Sequence, residues 1–545
     1  MVRLSQLLEG LQGVSIAGSP DAEITGIAYD SRRVGRGDLF AALPGTRTDG
    51  ENFLEEAVRR GAAALLVRDR ASAQARGLDA SAALVEAADI RRVLARVADA
   101  FHGHPSGRVR VVGITGTNGK TTWTYLTESI LRTAGRGAGV IGTVSYRWGG
   151  GPEGAPGNER PAGQTTPEAP DLQALLREMA DAEVEYCLME VSSHGLRLGR
   201  VEGIDFEAAV FSNLTQDHLD FHKSLDDYFE AKRSLFTQRP VRKAVVNLDD
   251  PYGRRIWADV KNTGGGKAGL TYGLSPQALV RARDAENHRS GLRFRLIAPQ
   301  GERPVRLRLV GSHNIYNALA AAATGLALGI DPETVVEGLE RLESAPGRFE
   351  RVDLGQPFAV VVDYAHTEDA LRRVLKAARE LIEGRLIVVM GCGGDRDRTK
   401  RPRMGAAAAE IADHVVVTSD NPRTEDPAAI LREIEPGILG LGQDRATHEM
   451  CVDRREAIGR ALAMGAPGDG VVIAGKGHET YQIVGREVFP FDDREEARKA
   501  LRALGYGDRE PVSRAGDRRS GSVRPGQPGR TAPGRRAGRR RGNGS

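Results

Sequence analysis

The amino-acid sequence predicts an α/β protein on three grounds. Short apolar runs alternate with helix-like stretches along most of the chain, the rhythm of a mostly parallel, covered sheet. One run, VRVVGIT (109–115), passes through a glycine-rich loop directly into a helix beginning near Thr121. Four later runs, in FAVVVDYA, RLIVVMGCGG, HVVVTSDNPR and GVVIAGKGHE, each end in polar or glycine-rich residues. Strand carboxyl ends carry the ligand site in open parallel sheets, so these four strings are expected along one rim.

In chain order, residues 1–104 read as a small α/β unit, with AALLV (63–67) as a strand and ENFLEEAVRRGA as a helix. HGHPSG (102–107) has the turn residues of a linker. Residues 105–343 form a second unit, with further strands in YCLMEVS (186–192), AAVFSN (208–213) and KAVVNLD (243–249). The Gly/Pro-rich stretch 149–164 is a loop or hairpin connection. NIYNALAAAATGLALG is helical, and SAPGRFERV (344–352) is a hinge into a third unit, residues 344–507. Residues 508–545 are rich in Arg, Gly, Pro and Ser and read as a disordered extension.

Length and composition bound the class. A chain of 545 residues exceeds one ordinary domain, and 40% apolar with 28% charged residues suits a globular protein. Cys187, Cys392 and Cys451 are scattered, which reads as buried thiols in a reducing compartment rather than a disulfide framework. No signal peptide or apolar run long enough to span a membrane is evident, so a cytoplasmic location is expected. The net charge of +4 comes from the tail: residues 508–545 hold 11 Arg against 3 acidic residues, leaving the body acidic. Without interleaved aromatics the tail is a weak candidate for binding nucleic acid, and a solvated extension is the expectation.

The strongest chemical signal is GITGTNGKTT (113–122). Gly116 and Gly119 leave backbone N–H groups open to a phosphate, Lys120 supplies a point charge and Thr121 a hydroxyl suited to Mg²⁺. Ile114 stands where the strict GxxxxGK[ST] pattern has its first glycine. A second constellation combines Glu190 and His194 of MEVSSHG with Asn213, Asp217, His218, Asp220 and His222 of NLTQDHLDFH. An acid at one strand end, with acids and imidazoles after another, suggests a Mg²⁺-phosphate site, with oxygen ligands leading.

GTNGKTT, EVSSH, NLTQDHLDFH, YFEAKRSLF, GSHNIYNALAA, PGRFE and DYAHTEDAL occur here in the order found in Mur ligases and folylpolyglutamate synthases. DSRRVGRGDLFAALPG, GCGGDRDRTKRPRMG, SDNPRTEDP and GKGHETYQ narrow the resemblance to the diaminopimelate-adding branch of the Mur ligases. The resemblance implies three domains: a UDP-sugar-binding one, a central P-loop ATPase and a Rossmann-like one that binds the amino acid. ATP would contact Gly116, Thr117, Asn118, Gly119, Lys120, Thr121, Thr122, Asn314, Arg348 and Asp363, with His366 nearby. Ser31, Thr46, Arg47 and Thr48 would meet the UDP-sugar. Thr165, Thr166, Ser192 and Arg200 would hold the muramyl peptide, although Gln164 and Leu198 depart from the family's usual Asn and Gln. Arg396, Asp420, Asn421, Pro422, Arg423, Gly475 and Glu479 match the diaminopimelate site. The Arg423 guanidinium would meet the distal carboxylate and Glu479 the distal ammonium.

Lys232 reads from its residues alone as a solvated helix position, whereas the resemblance implies a carbamylated metal ligand alongside Thr121, Glu190 and His218. The implied reaction is ATP-dependent ligation of meso-diaminopimelate to UDP-MurNAc-L-Ala-D-Glu through an acyl phosphate, with Mg²⁺ and with Lys120, Lys232 and His218 as catalytic residues. A monomer whose third domain closes over the site is expected, with Arg348 sensing closure. The alternatives are a lysine-adding muramyl ligase, a folylpolyglutamate synthase, a substrate-independent P-loop ATPase, and a nucleotide-binding regulator with a nucleic-acid-binding tail.

Overall fold

The computed structural model describes residues 1–45, 48–149, 157–218, 221–262, 268–288, 290–442 and 446–507. The expectations for Thr46, Arg47, Asp220 and the tail 508–545 lie outside the described residues.

Among the described residues three large sheets follow one another, beside two small two-stranded ones. The first has five strands in the order Val14–Ala17, Ala83–Ala87, Ala64–Val67, Asp38–Ala41, Gly26–Ala28, parallel except for the first. The second has eleven strands, and its parallel centre runs Ala138–Ile141, Tyr186–Glu190, Arg110–Thr115, Phe206–Phe211, Val241–Asn247, Ala268–Gly273. Antiparallel pairs finish both edges, Ser145–Trp148 with Asn158–Pro161 on one side and Gly291–Ala298 with Gly301–Leu307 on the other. Of the Gly/Pro-rich stretch 149–164, Asn158–Pro161 is the strand of the first pair, and residues 150–156 lie outside the described residues.

Side-chain alternation covers both faces of the central sheet. Val112 and Ile114 point into a core shared with helices Lys120–Thr133, His313–Ala327 and Pro332–Arg341. Val111 and its neighbours pack against helices Ala169–Asp181, Leu225–Thr237 and Pro251–Asn262 on the opposite face.

The third sheet places Ala359–Asp363, Gly470–Ala474, Leu386–Met390, His414–Thr418 and Thr447–Cys451 in parallel, with short Glu350–Arg351 antiparallel at one edge. All four polar strings therefore leave the same rim of this sheet, as their sequence pattern requires. The hinge segment contains Phe349 at φ +48°. All three cysteines are free and buried, and burial pushes the Cys392 thiol up to about 12. No described helix is long and apolar enough to cross a membrane.

Candidate active site

The phosphate loop follows the central strand Arg110–Thr115. Gly116 (φ +148°) and Gly119 (φ +88°) occupy backbone that side chains rarely adopt. Space excludes a side chain as well: a Cβ at Gly116 would lie 1.9 Å from Ser212 Oγ, and one at Gly119 would lie 2.3 Å from Asn317 Oδ1. The neighbouring strand end clasps the loop, since Asn118 N donates to Asn213 Oδ1 (3.0 Å) and Ser212 Oγ donates to Asn118 O (2.7 Å). Lys120 Nζ donates to Gly116 O and Thr117 O, both at 3.0 Å, so the ammonium lies along the loop.

Lys232 overturns its reading as a solvated residue. Helix Leu225–Thr237 begins at Ser224, whose hydroxyl accepts from Asp227 N, and buries Tyr228, Phe229, Ala231, Lys232, Leu235 and Phe236. That spacing is the inward face of an amphipathic helix, and Lys232 stands in the middle of it. Its side chain is 1% exposed, donates to Gly116 O at 3.0 Å and lies 4.3 Å from the Tyr228 ring centre. Burial, and then the Lys120 charge, hold its amine well below the ordinary lysine value.

Glu190 ends the strand beside the phosphate loop and is 1% exposed. It accepts from Thr143 N (3.1 Å) and Thr143 Oγ1 (2.9 Å). His218 (φ +53°) sits with its Nε2 3.4 Å from Asp217 and its ring 4.9 Å from that of His194. Burial pushes the His218 imidazole down to about 4, so it is neutral at physiological pH. Thr121 Oγ1 receives a hydrogen bond from Arg348 Nη2 at 3.1 Å.

These groups fit a magnesium ion held mainly by phosphate. Among the described residues no three His, Cys, Asp or Glu side chains converge on one point. A hard cation in a phosphoryl-transfer site needs only one or two carboxylates plus substrate phosphate oxygens. Glu190 supplies one, Thr121 a hydroxyl, and His218 a neutral imidazole. Lys232 as an ammonium cannot ligate, but a buried amine of depressed basicity is chemically suited to carbamylation.

Two adjoining clefts occupy this region. The first, about 490 Å³, is lined by Thr117 to Thr122, Thr143, Thr165, Glu190, Ser192, Asn317, Arg348 and Asp363. The second, about 580 Å³, is lined by Arg396, Asp420, Asn421, Arg423, Gly475 and Glu479. Asp217, His218, Tyr364, His366 and Thr367 line both. Contacts also cross between domains: Asp369 Oδ2 accepts from Asn118 Nδ2 (3.2 Å) and Thr215 Oγ1 (3.0 Å).

The other expected site residues separate into groups. Asp363 is braced by backbone, accepting from Phe349 N (2.7 Å) and Ala365 N (2.8 Å), and burial raises its carboxyl. Asn314 is buried, donates to Val310 O (2.7 Å) and accepts from Asn317, so Asn317 is the amide that lines the cleft. Thr166 Oγ1 donates to Glu190 O (2.8 Å) and ties the loop to the strand end. Arg200 donates to Thr166 O (2.8 Å), pairs with Glu168 (2.7 Å) and also reaches Gln164, so the departure at Gln164 retains a polar role. Glu168 meanwhile pairs with Arg91 of the first domain at 3.2 Å. Ser31 donates to Glu56 (2.9 Å) on the first domain, and Thr48 is exposed there; neither lines the two clefts.

In the second cleft the loop of Arg423 is fastened from behind. Arg423 (φ +51°) donates its N–H to Ile483 O (3.1 Å), and Gly485 N donates to Arg423 O (2.7 Å). Its guanidinium donates to Gly394 O at 2.8 Å. Gly394 has no room for a side chain, since a Cβ would lie 1.9 Å from Pro422 O. Sequence reasoning missed Asn317, Thr143, Asp369 and Lys476. GKGHE contained the signal for Lys476, a lysine between two glycines directly after a buried strand.

Comparison with known proteins extends this picture over all three domains. Residues 23–102 match the Mur ligase family catalytic domain, 114–325 the Mur ligase middle domain, and 347–477 the Mur ligase glutamate ligase domain. The chain is 46% identical over 487 residues to the UDP-N-acetylmuramoyl-L-alanyl-D-glutamate–2,6-diaminopimelate ligase of Solibacter usitatus, covering 89% of this chain and 94% of that one. With the enzyme of the same name from Gloeobacter violaceus it is 47% identical over 503 residues, 92% and 98% of the two chains. A solved structure of a ligase of that name matches with a TM-score of 0.65 at 34% identity, over 93% of this chain and 99% of the other. The Thermotoga maritima MurF ligase solved with ADP shares the fold, at 18% identity and a TM-score of 0.58 over 88% and 97%. Matches in all three domains, and relatives this similar along nearly their whole length, show that the chain belongs to the Mur ligase family.

Proposed function

We propose that this chain joins meso-diaminopimelate to UDP-MurNAc-L-Ala-D-Glu, with ATP converted to ADP and phosphate. The observation that carries the reading is the wall common to the two clefts: a phosphate-loop cleft and a cleft lined by Asp420, Asn421 and Arg423 meet at Asp217, His218, Tyr364, His366 and Thr367. An activated carboxyl made on one side of that wall is within reach of an amine held on the other. The names of the relatives support the choice of substrates.

The D-Glu carboxylate takes the γ-phosphoryl group of ATP, forming an acyl O–P bond as the β–γ bridge breaks. Lys120 and the N–H groups of the phosphate loop stabilise charge on the transferring group. Thr121, Glu190, His218 and carbamylated Lys232 would hold Mg²⁺, which screens phosphate charge and orients the phosphoryl oxygens. The diaminopimelate amine then attacks the acyl carbon, forming the amide and releasing phosphate.

The attacking nitrogen must lose a proton, and His366 is suited to accept it. Its Nδ1 lies 2.9 Å from Tyr364 O; a carbonyl only accepts, so Nδ1 carries the hydrogen and Nε2 is the basic nitrogen. Burial and then Lys400 lower the His366 basicity. Arg423 is the charge for the distal carboxylate of diaminopimelate, a group that lysine lacks. The enzyme acts as a cytoplasmic monomer, a reading supported by free buried cysteines and by two clefts lined within one chain.

Phosphate release from ATP with UDP-MurNAc-L-Ala-D-Glu tests the proposal, comparing meso-diaminopimelate, L-lysine and no amino acid. Release with diaminopimelate alone is expected. Release with lysine would overturn the specificity, and release indifferent to the amine would indicate a plain ATPase.

A further inference from the structure

Lys476 is fully buried, yet it ends among the side chains that form the amino-acid cleft. It follows the strand Gly470–Ala474 and lies between two constrained glycines, Gly475 (φ +121°) and Gly477 (φ +53°). A Cβ at Gly475 would lie 3.2 Å from Asp420 Oδ2, and one at Gly477 would lie 2.7 Å from Gly347 O. Both glycines hold backbone that side chains rarely adopt, and neither has free space for one.

Its ammonium has three hydrogens and meets three acceptors. Nζ lies 3.1 Å from Asn421 Oδ1, 3.0 Å from Glu479 Oε2 and 3.5 Å from Asp420 Oδ1. The Tyr481 ring is 5.6 Å away. Asn421 Nδ2 also donates to Glu479 Oε2 at 3.0 Å, which closes a Lys476–Asn421–Glu479 triangle. Both contacts to Glu479 fall on one oxygen, so Oε1 is the atom left for a ligand ammonium.

Charge reinforces the geometry. Asp420 and Glu479 bring two negative charges to one cleft, and Lys476 cancels one of them. Burial by itself would raise the Asp420 carboxyl; Lys476, and then Arg454, outweigh burial and lower it. A methionine at 476 would leave two carboxylates and the Asn421 carbonyl oxygen without their common donor.

We propose that Lys476 is a positioning residue for the incoming amino acid, aligning Asn421 and Glu479 and setting the charge of the cleft that receives its distal ammonium. It does not touch the substrate, because it is enclosed behind the residues it aligns. This inference rests on the diaminopimelate-adding reading, and its consequence is selective. Losing Lys476 weakens the amino-acid site while leaving the phosphate-loop cleft intact.

Steady-state kinetics of wild type, Lys476→Met, Glu479→Gln and the double variant test it, varying diaminopimelate, ATP and the UDP-linked peptide in turn. Lys476→Met is expected to raise KM for diaminopimelate at least tenfold, with KM for ATP and for the UDP-linked peptide within twofold of wild type. If Lys476 acts through Glu479, the double variant has the same KM for diaminopimelate as Glu479→Gln alone, and this comparison carries the test should the single lysine variant fail to fold. An unchanged KM for diaminopimelate in Lys476→Met, an equal rise in all three KM values, or a further tenfold rise in the double variant overturns the inference. Wild type that never responds to diaminopimelate would overturn the functional reading and this inference with it. Normal wild-type turnover with any of the three adverse results overturns this inference alone.

Discussion

Lys120 and Lys232 donate to the same acceptor, the carbonyl oxygen of Gly116, each at 3.0 Å. Two lysines from different helices thus meet at the first glycine of the phosphate loop. Two like charges in a buried place are unfavourable; burial lowers both amines, and Lys232, the less exposed of the two, is the one held well below its ordinary value. The arrangement favours a neutral, nucleophilic amine at Lys232 beside a cationic Lys120.

Replacing Lys232 with methionine should separate activity from stability. We expect kcat to fall by about 10²–10³-fold, the scale of losing one group that stabilises transferring charge. Stability should move the other way in CO₂-free buffer. A depressed folded value means the unfolded chain binds more protons at every pH from that value up to about 10.5, so wild type gains stability as pH rises through that window. Lys232→Met should lose this slope and melt no lower than wild type at neutral pH. A melting curve that retains the slope would contradict the assignment.

Arg348 links the hinge to the phosphate loop, donating to Thr121 Oγ1 and lying 4.7 Å from the Tyr364 ring centre. Arg348→Ala should lower kcat about tenfold or more, the cost of one charged hydrogen bond at ~1.5–3 kcal/mol. Solution scattering should show compaction of wild type on adding an ATP analogue and UDP-linked peptide, and less compaction of the variant. Identical profiles for both proteins would remove Arg348 from closure.

Arg423 should govern which amino acid is used. Arg423→Ala is expected to raise KM for diaminopimelate by about 10–100-fold, the loss of a charge-assisted pair. Use of lysine should change little, so discrimination between the two should narrow. Arg423→Lys should restore little, because an ammonium cannot reproduce the planar fork. Competition between the two amino acids in one reaction measures this directly.

The third domain should have an acid-sensitive anchor behind the loops of the amino-acid cleft, since Glu425 also accepts from Asp395 N. Arg401 is fully buried and meets both oxygens of Glu425, at 2.8 and 2.9 Å, and Glu433 at 2.7 Å. The hydrogen bond from Arg401 leads in drawing the Glu425 carboxyl down to about 2. A depressed carboxyl stabilises fully above its unfolded value near 4.5, and that contribution disappears as pH falls toward 2. Glu425→Gln should cost about 1–3 kcal/mol at pH 7 and flatten the acid limb of the melting profile. An unchanged limb would place the acid sensitivity elsewhere.

The local sequence determined the α/β class, the order of the domains and the phosphate loop, because each depends on short-range requirements. Alternating apolar runs make strands wherever they fold, and GTNGKTT needs only its own glycines and the helix that follows. The rim strings were legible for the same reason, since each begins where an apolar strand ends. Tertiary structure decided what the side chains became. Lys232 has the composition of a surface lysine, and only the packing of Tyr228, Leu235 and Phe236 turns its helix face inward. Asn317 rather than Asn314 lines the cleft because of the position of Val310 O, which takes the Asn314 amide. Asp369 meets Asn118 across 251 residues of chain, and Lys476 meets Asn421 across 55. No local pattern encodes such pairs. Charge and burial at these sites are properties of how distant segments pack, and the desolvation that tunes each group exists only once the domains enclose it.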